Sequence, residues 1–221
     1  MVGGEVELVI APEVLRLGVV ATYLVVEGLD NREGDEGFER YREELCERLV
    51  GEYDEDFVRD DPVLEGFREL RRRIGRSIRK YPCSTESLIG FLRRRGGLPS
   101  INLAVDIYNC VCLETRLTLG AHDLDRVTGQ INLRLARGDE HFVPLGSDKV
   151  EAVGAGEYCY IDDGDEVLCR LDYRQCDRTK VGVETTRAFF IIQGNAHTTE
   201  EDLERAKTRL AELLDTYCKA D

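Results

Sequence analysis

The segment from residue 98 to residue 129 most constrains how this chain can fold. Apolar residues recur at helical spacing across residues 101–114, so the pattern predicts a buried helix, and Ser100 stands where an N-cap is expected. Three short polar side chains share one stripe of this helix, because they lie four and three residues apart: Asn102, Asp106 and Asn109. Such a stripe either lines a pocket or anchors neighbouring backbone through hydrogen bonds, and the pattern alone leaves both interpretations open.

The second half of this segment is bracketed by Gly120 and Gly129 and contains His122 and Asp123. Glycines and aspartates at this density favour a turn. The next residues, 131–136, alternate polar and apolar side chains, which predicts a strand with one buried face. We therefore expect a helix, a polar turn and a strand in this order.

The remaining patterns predict an α+β fold, in which a mixed or mostly antiparallel sheet is packed by helices. Further strands are predicted at residues 19–26, 141–145, 157–161, 167–171 and 185–193. Further helices are predicted at residues 38–50, 60–78, 84–95 (capped by Ser84 or Thr85) and 199–217. A chain of 221 residues has the size of one large domain. We expect residues 1–97 to form an N-terminal strand-and-helix part of that domain, and residues 98–221 to form its core with a C-terminal helix.

Charge and cysteine content narrow the class of protein. A formal net charge of -14 argues against indiscriminate nucleic-acid binding, which depends on Lys and Arg at the phosphates. No apolar run approaches the ~20 residues that span a bilayer, so we expect a cytoplasmic protein without membrane contact. The 8 cysteines include no C-x-x-C pair, so we expect neither a metal nor a cofactor and interpret most of them as small buried hydrophobes. Cys176 is the exception, because it lies in a polar stretch.

Basic residues are nevertheless concentrated in residues 68–95 of this acidic chain. One interpretation is a patch that faces the phosphates of a structured RNA, and the other is a solvated helix face balanced by acidic neighbours. The candidate RNA-binding residues are Arg72, Arg73, Arg76, Arg93, Arg94 and Arg95.

A second polar segment, residues 172–181, has neither helical nor strand periodicity, so we expect a loop. Loops that follow strands are common positions for functional residues, which makes four side chains candidates for a site shared with the first segment: Arg174, Asp177, Thr179 and Lys180. The alternative is that ion pairs such as Arg174 with Asp177 merely fix the loop. No nucleophile elbow, phosphate-binding glycine loop or dinucleotide fingerprint is present in the sequence.

Three patches together resemble the B3/B4 domain. They are LPSIN followed by VD and YN, then G-x-x-DLDR-x-x-G, and then YRQ-x-D-x-TKV followed by ETT, within residues 98–192. This domain is the editing module in the β subunit of phenylalanyl-tRNA synthetase, and it also occurs as free-standing proteins. The resemblance implies an α+β fold and hydrolysis of the ester bond of a mischarged aminoacyl-tRNA, with tRNA as the partner.

The resemblance carries over to individual residues unevenly. Asn109 matches the asparagine that lines the amino-acid pocket, and Asp177 stands where the synthetase module has a glutamate next to the substrate. The synthetase module has its editing histidine at the position of Gly120, and an aromatic residue at the position of His122. The editing histidine is therefore absent at its usual place, and we interpret His122 as a ring packed under the turn.

The hypothesis from the sequence is a free-standing aminoacyl-tRNA deacylase. An aminoacyl ester is already activated, so a positioned water, donors for the oxyanion and a carboxylate for the α-ammonium group suffice. Asp177 or Asp123 is the candidate for the catalytic carboxylate. Substrate contacts are expected from Asn102, Asp106, Asn109, Gly120, His122, Arg174, Thr179 and Lys180. The alternatives are a non-catalytic tRNA- or RNA-binding module and an amino-acid-binding protein of the same fold.

Overall fold

The computed structural model of the protein describes residues 6–219. Its helices are α1 (Pro12–Arg16), α2 (Glu36–Glu52), α3 (Glu55–Asp60), α4 (Pro62–Arg73), α5 (Ser84–Arg95), α6 (Leu103–Thr115) and α7 (Glu200–Tyr217). Its strands are β1 (Leu8–Ile10), β2 (Val20–Glu27), β3 (Thr118–Asp123), β4 (Ile131–Leu135), β5 (Tyr158–Asp162), β6 (Val167–Arg170), β7 (Arg174–Gln175) and β8 (Arg187–Gly194). The ends of the two predicted parts, residues 1–5 and 220–221, lie outside the described residues.

The strands form two sheets. One has five strands in the order β1-β4-β5-β6-β7, and the other has three in the order β2-β8-β3. Strand β1 pairs with β4 in parallel, whereas the remaining named pairs are antiparallel. The predicted α+β class with a mixed, mostly antiparallel arrangement is confirmed.

Helix α6 is the centre of the core. Its residues from Leu103 to Leu113 are all buried, and it packs against α5, α7 and β3. The helix begins two residues later than predicted, because Asn102 rather than Ser100 is the N-cap and accepts a hydrogen bond from the Val105 amide at 3.1 Å. The Asn31 side chain donates to Asn102 at 3.1 Å and to the Gly182 carbonyl at 2.7 Å, which joins the start of α6 to a distant loop.

The predicted turn at residues 118–129 is wrong in its first half. Residues 118–123 form β3, which pairs along its whole length with the apolar strand β8, and only Leu124–Arg126 forms a short 3-10 turn. Tertiary pairing with a strand far away in sequence therefore outweighs the local turn signals. As a strand, this segment presents Thr118, Gly120 and His122 on one face.

Three other local predictions differ from the structure. Helix α4 ends at Arg73 instead of continuing to residue 78, because Gly75 takes a left-handed conformation (φ 67) that stops it. Helix α5 is capped by Cys83, not by Ser84 or Thr85. The predicted strand at residues 141–145 is reduced to isolated bridges at His141 and Pro144.

All eight cysteines are buried, Cys176 included, and burial raises the pKa of its thiol.

Candidate functional site

A cavity of about 480 Å³ lies between α5, α6 and the two sheets. This volume is in the range of small-molecule binding sites. Its rim is half-exposed and includes Leu88 and Phe91 of α5, exposed Leu145, and Tyr173. Deeper in the cavity the walls carry buried apolar groups such as Ile191 beside a few polar side chains. The cavity therefore offers an apolar chamber with a small set of hydrogen-bonding groups.

Asn109 is the member of the predicted polar stripe that lines this cavity. It is buried in the second half of α6, and its amide makes no hydrogen bond within residues 6–219. The residue is 8% exposed and its side-chain amide keeps some accessible surface, so it is not a fully buried unsatisfied group. Asn109 is therefore available to a bound molecule.

The face of β3 that carries Thr118, Gly120 and His122 forms another wall. Gly120 permits a close approach there, since a Cβ atom at this position would lie 2.4 Å from the Gln175 side-chain nitrogen. The amide of Gln175 thus occupies the space that a side chain at position 120 would need. Gln175 belongs to β7, so this contact brings the two sheets together at the cavity.

His122 is fully buried in this wall and makes one hydrogen bond. Its Nδ1 lies 2.8 Å from the Thr179 hydroxyl, which is itself 3.1 Å from the Cys176 sulfur. Its Nε2 has no hydrogen-bond partner among the described residues. Burial, together with the nearby Arg178 charge, lowers the pKa of His122 to about 4, so the ring is neutral at pH 7.

Asp172 forms the centre of a hydrogen-bond network at the cavity floor. Arg71 grips its carboxylate with both terminal guanidinium nitrogens, one of them at 2.7 Å, and each side chain is only 1% exposed. Tyr158 donates to the same carboxylate at 2.8 Å and Gln193 at 3.2 Å. Tyr160 in turn donates to Gln193 at 2.7 Å. The floor is therefore polar, but its one carboxylate is neutralised by Arg71.

The four carboxylate and amide residues predicted beside Asn109 lie elsewhere. Asn102 caps α6, and its side chain donates to the Val181 carbonyl at 3.1 Å. Asp106 accepts from Ser100 at 2.9 Å and pairs with Arg42 at 3.1 Å, so it anchors neighbouring chain.

Asp123 accepts hydrogen bonds from the Asp125 amide at 3.0 Å and from Thr185 at 2.9 Å. Asp177 pairs with Lys180 at 3.1 Å and accepts from the Gly146 amide at 3.1 Å, and these contacts lower the pKa of its carboxyl. Neither aspartate lines the cavity.

The remaining predicted contacts divide in the same way. Arg174 lines the rim and pairs with Glu151 at 3.7 Å. Thr179 and Lys180 do not line the cavity; Thr179 is hydrogen-bonded to His122, and Lys180 pairs with Asp177. The cavity thus brings together four of the predicted residues: Asn109, Gly120, His122 and Arg174.

The six candidate RNA-binding arginines differ in their partners. Four of them pair with glutamates: Arg72 with Glu65 (2.7 Å), Arg73 with Glu69 (3.6 Å), Arg76 with Glu157 (2.5 Å) and Arg93 with Glu55 (3.5 Å). Arg94 and Arg95 are exposed and form no ion pair with any described residue. They follow Phe91 by one turn of α5, so the helix that lines the cavity rim ends in two free cations.

Sequence reasoning missed the residues of the Asp172 network and the Gln175 amide. One signal for Arg71 was available, because it lies four residues after Phe67 and therefore on the apolar face of α4. Tyr158, Tyr160 and Gln193 carry no such signal, since a buried tyrosine or glutamine in a strand has no distinguishing spacing.

Residues 6–219 contain no group of three or more His, Cys, Asp or Glu side chains that could hold a metal ion. Nor does this part of the chain include a helix that is long and apolar enough to cross a membrane.

Comparison with known proteins gives a consistent result. A family model described as the B3/4 domain matches residues 67–219, which is more than half of the chain. The phenylalanine–tRNA ligase β subunit of Photorhabdus laumondii is 36% identical over 124 residues, covering 55% of this chain and 15% of that protein. The corresponding subunit of Pseudomonas putida is 31% identical over 122 residues, covering 54% of this chain and 15% of that protein. This chain therefore spans only a small fraction of these relatives.

Among solved structures, an N-terminal fragment of the phenylalanyl-tRNA synthetase β subunit from Pyrococcus horikoshii is similar with a TM-score of 0.52. The similarity covers 96% of this chain and 49% of that chain, at 15% sequence identity. At this identity the likeness concerns the fold alone.

Proposed function

The chain belongs to the B3/4 domain family, and on this premise we propose that it hydrolyses the ester bond of a mischarged aminoacyl-tRNA in trans. The relatives named above are β subunits of an enzyme that attaches phenylalanine to tRNA. The proposed substrate is the aminoacylated 3′ end of a tRNA, and the activity belongs in the cytoplasm, where tRNA is charged.

The observation that carries the proposal is the cavity of about 480 Å³ with a free amide at Asn109. An apolar chamber with few convergent polar groups is the usual form of a small-molecule site. Because Arg71 neutralises Asp172, the floor favours an uncharged amino-acid side chain over a charged one. Tyr160 and Gln193 offer hydrogen bonds to a polar group on that side chain.

The position of the rim supports the approach of a tRNA end. Phe91, Tyr173 and Arg174 border the opening, and aromatic and arginine side chains are suitable for stacking and pairing with a single-stranded nucleotide. Arg94 and Arg95 extend the same helix beyond the rim and can bind phosphates without first breaking an ion pair.

The proposed reaction needs a water molecule at the ester and donors for the developing oxyanion. We propose Asn109 and Gln175 as substrate-binding amides, because both reach the cavity. Asp177 is the proposed ligand for the α-ammonium group. Its carboxylate accepts from the amide of Gly146, which follows the rim residue Leu145, so it lies beside the rim. It can bind the substrate only if its pair with Lys180 opens. Asp123 is the second carboxylate proposed to hold the α-ammonium group or to orient the water.

The test is deacylation of a panel of purified mischarged tRNAs by the protein, compared with the spontaneous rate and repeated after chelator treatment. Rapid hydrolysis of one or a few species supports the proposal and names the amino acid. Hydrolysis of none contradicts it. Activity that disappears with chelator would require a metal in the reaction.

The second candidate function is binding without hydrolysis. It is favoured by the fact that Asp172, the acid lining the cavity in the described part of the chain, is held by Arg71 and not free to act. Calorimetry with free amino acids and with tRNA that shows binding, together with an inactive deacylation panel, would establish this alternative.

A further inference from the structure

We propose that His122 is a catalytic residue of this cavity, and that its Nε2 accepts a hydrogen bond from the water that attacks the ester. This inference rests on the proposed deacylase function. It replaces the interpretation from the sequence, in which His122 was only a ring packed under a turn.

The first support is the position of the ring. His122 lines the cavity and is 0% exposed, yet its Nε2 has no hydrogen-bond partner among residues 6–219. Buried polar atoms in folded proteins nearly always have a partner, so an exception calls for a missing one. Nε2 has almost no accessible surface, so a water or substrate atom from the cavity that the ring lines supplies the partner only when the wall around the ring moves.

The second support is the hydrogen-bond chain behind the ring. With the proton on Nδ1, the ring donates to the Thr179 hydroxyl at 2.8 Å, and that hydroxyl donates to the Cys176 sulfur at 3.1 Å. This arrangement leaves a lone pair on Nε2. The opposite tautomer would leave an unpaired buried N–H, and buried orphan donors are rarer than under-used acceptors. Thr179 is thus a positioning residue that orients the ring.

The third support is the space beside the ring. Gly120 stands two residues before His122 on the same face of β3, about 7 Å away at the usual rise of a strand. It contributes no side chain, and the Gln175 amide enters there instead. Asn109 lines the same cavity and also has free hydrogen-bonding capacity. A water in the cavity therefore has polar groups on more than one wall.

In the proposed step, His122 takes one proton from the attacking water and returns it to the leaving group. The water oxygen bonds to the ester carbonyl carbon while one of its protons passes to Nε2. The tetrahedral intermediate then expels the ribose oxygen, which takes that proton, and the remaining proton of the water is lost from the carboxylic acid. General-base catalysis typically contributes about 10²–10⁴-fold, and a ring whose pKa lies well below the working pH belongs at the low end of that range.

The kinetic test compares His122→Phe with the wild-type protein on the tRNA that the panel identifies. Phenylalanine keeps a ring of similar size and removes both nitrogens. We expect kcat to fall about 100-fold or more with KM changed less than about threefold. His141→Phe is the matched control, because that ring is 54% exposed and lies outside the cavity. Thr179→Val is expected to reduce kcat by a smaller factor, about tenfold, by releasing the ring.

The second measurement does not depend on turnover. The chain has 3 histidines, so ¹⁵N-labelled histidine gives three assignable rings. The probe is a set of 3′-aminoacylamino-3′-deoxyadenosines, in which an amide replaces the ester. Binding of one of them should shift the His122 resonances and leave those of His141 and His197 in place.

The outcomes separate the two proposals. An active wild type with an equally active, folded His122→Phe variant overturns the role of His122 and keeps the deacylase. A wild type inactive on the whole panel overturns the deacylase. If His122→Phe does not fold, the spectra decide: unchanged His122 resonances in a saturated complex, or a proton on Nε2, overturn the inference.

Discussion

Replacing Asp172 with asparagine should destabilise the protein strongly, although the two side chains have nearly the same volume. The carboxylate holds Arg71 through two hydrogen bonds, and both side chains are 1% exposed. Removing one partner of a buried ion pair leaves an uncompensated charge and costs about 3–5 kcal/mol. Tyr158 and Gln193 also donate to this carboxylate, so the amide in Asp172→Asn would confront three donors with only one acceptor oxygen.

The assay is urea unfolding followed by circular dichroism. With an m-value of about 3 kcal/mol per molar urea, the expected loss lowers the midpoint by roughly 1–1.7 M. Glu52→Gln is the control, since its pair with Arg48 is long at 3.5 Å and both side chains are more than half exposed, and we expect it to leave the midpoint nearly unchanged.

The double variant Arg71→Met/Asp172→Asn separates charge from packing. Removing both partners leaves no uncompensated buried charge. The double variant should therefore lose less unfolding free energy than the two single variants added together. Additive costs, or a midpoint shift below about 0.3 M in Asp172→Asn, would refute the reasoning that Arg71 and Asp172 stabilise the protein as a coupled buried ion pair.

Three further predictions concern pH, the cavity and the rim. The pKa of His122 in the folded protein is lowered to about 4 from an ordinary value of about 6.5. The neutral ring's contribution to the free energy of unfolding should therefore be fully present above pH 6.5 and fall by about 3 kcal/mol as the pH drops to 4. Urea titrations at several pH values should show no such loss in His122→Phe, and an identical loss in both proteins would contradict the prediction. Asn109→Ala should raise KM for deacylation about tenfold by removing a hydrogen bond. Asp177→Ala should raise KM by a smaller factor, because that carboxylate lies outside the cavity and reaches the substrate only when its pair with Lys180 opens; the reverse order would contradict the proposed site. The double variant Arg94→Ala/Arg95→Ala should weaken tRNA binding and reduce the slope of log K against log salt concentration by about 1–2. Filter binding measures this slope, with Arg48→Ala as the control. An unchanged slope would exclude the end of α5 from the interface.

The sequence predicted the elements whose apolar residues form a clear helical or strand pattern. The buried helix α6, the final helix α7 and the apolar strands β2 and β8 follow directly from the pattern of their apolar residues. Strand β3 was not predicted because its partner lies about 70 residues away, and the pairing with β8 is not encoded in local turn signals.

The site could be predicted only where a residue both stood out in sequence and faced the cavity. Asn109 and Asp106 lie on the same predicted stripe of α6 and carry similar short polar side chains. In the structure Asn109 lines the cavity, whereas Asp106 contacts Arg42 and Ser100. Asp177 has the chemistry of a catalytic carboxylate, but a lysine three residues away neutralises it. Such outcomes depend on three-dimensional neighbours that spacing does not reveal.

The pair between Arg71 and Asp172 also bears on how the pocket could be moved between proteins. Its two halves come from opposite sides of the predicted boundary at residue 98, and β2 from the first part completes the sheet beside β8. A graft that transplants residues 98–219 alone would carry a buried carboxylate without its guanidinium and a strand with an open edge. The smallest cassette that preserves the chamber therefore has to include α4 and β2, and a recipient lacking them would need a new cation at the same depth.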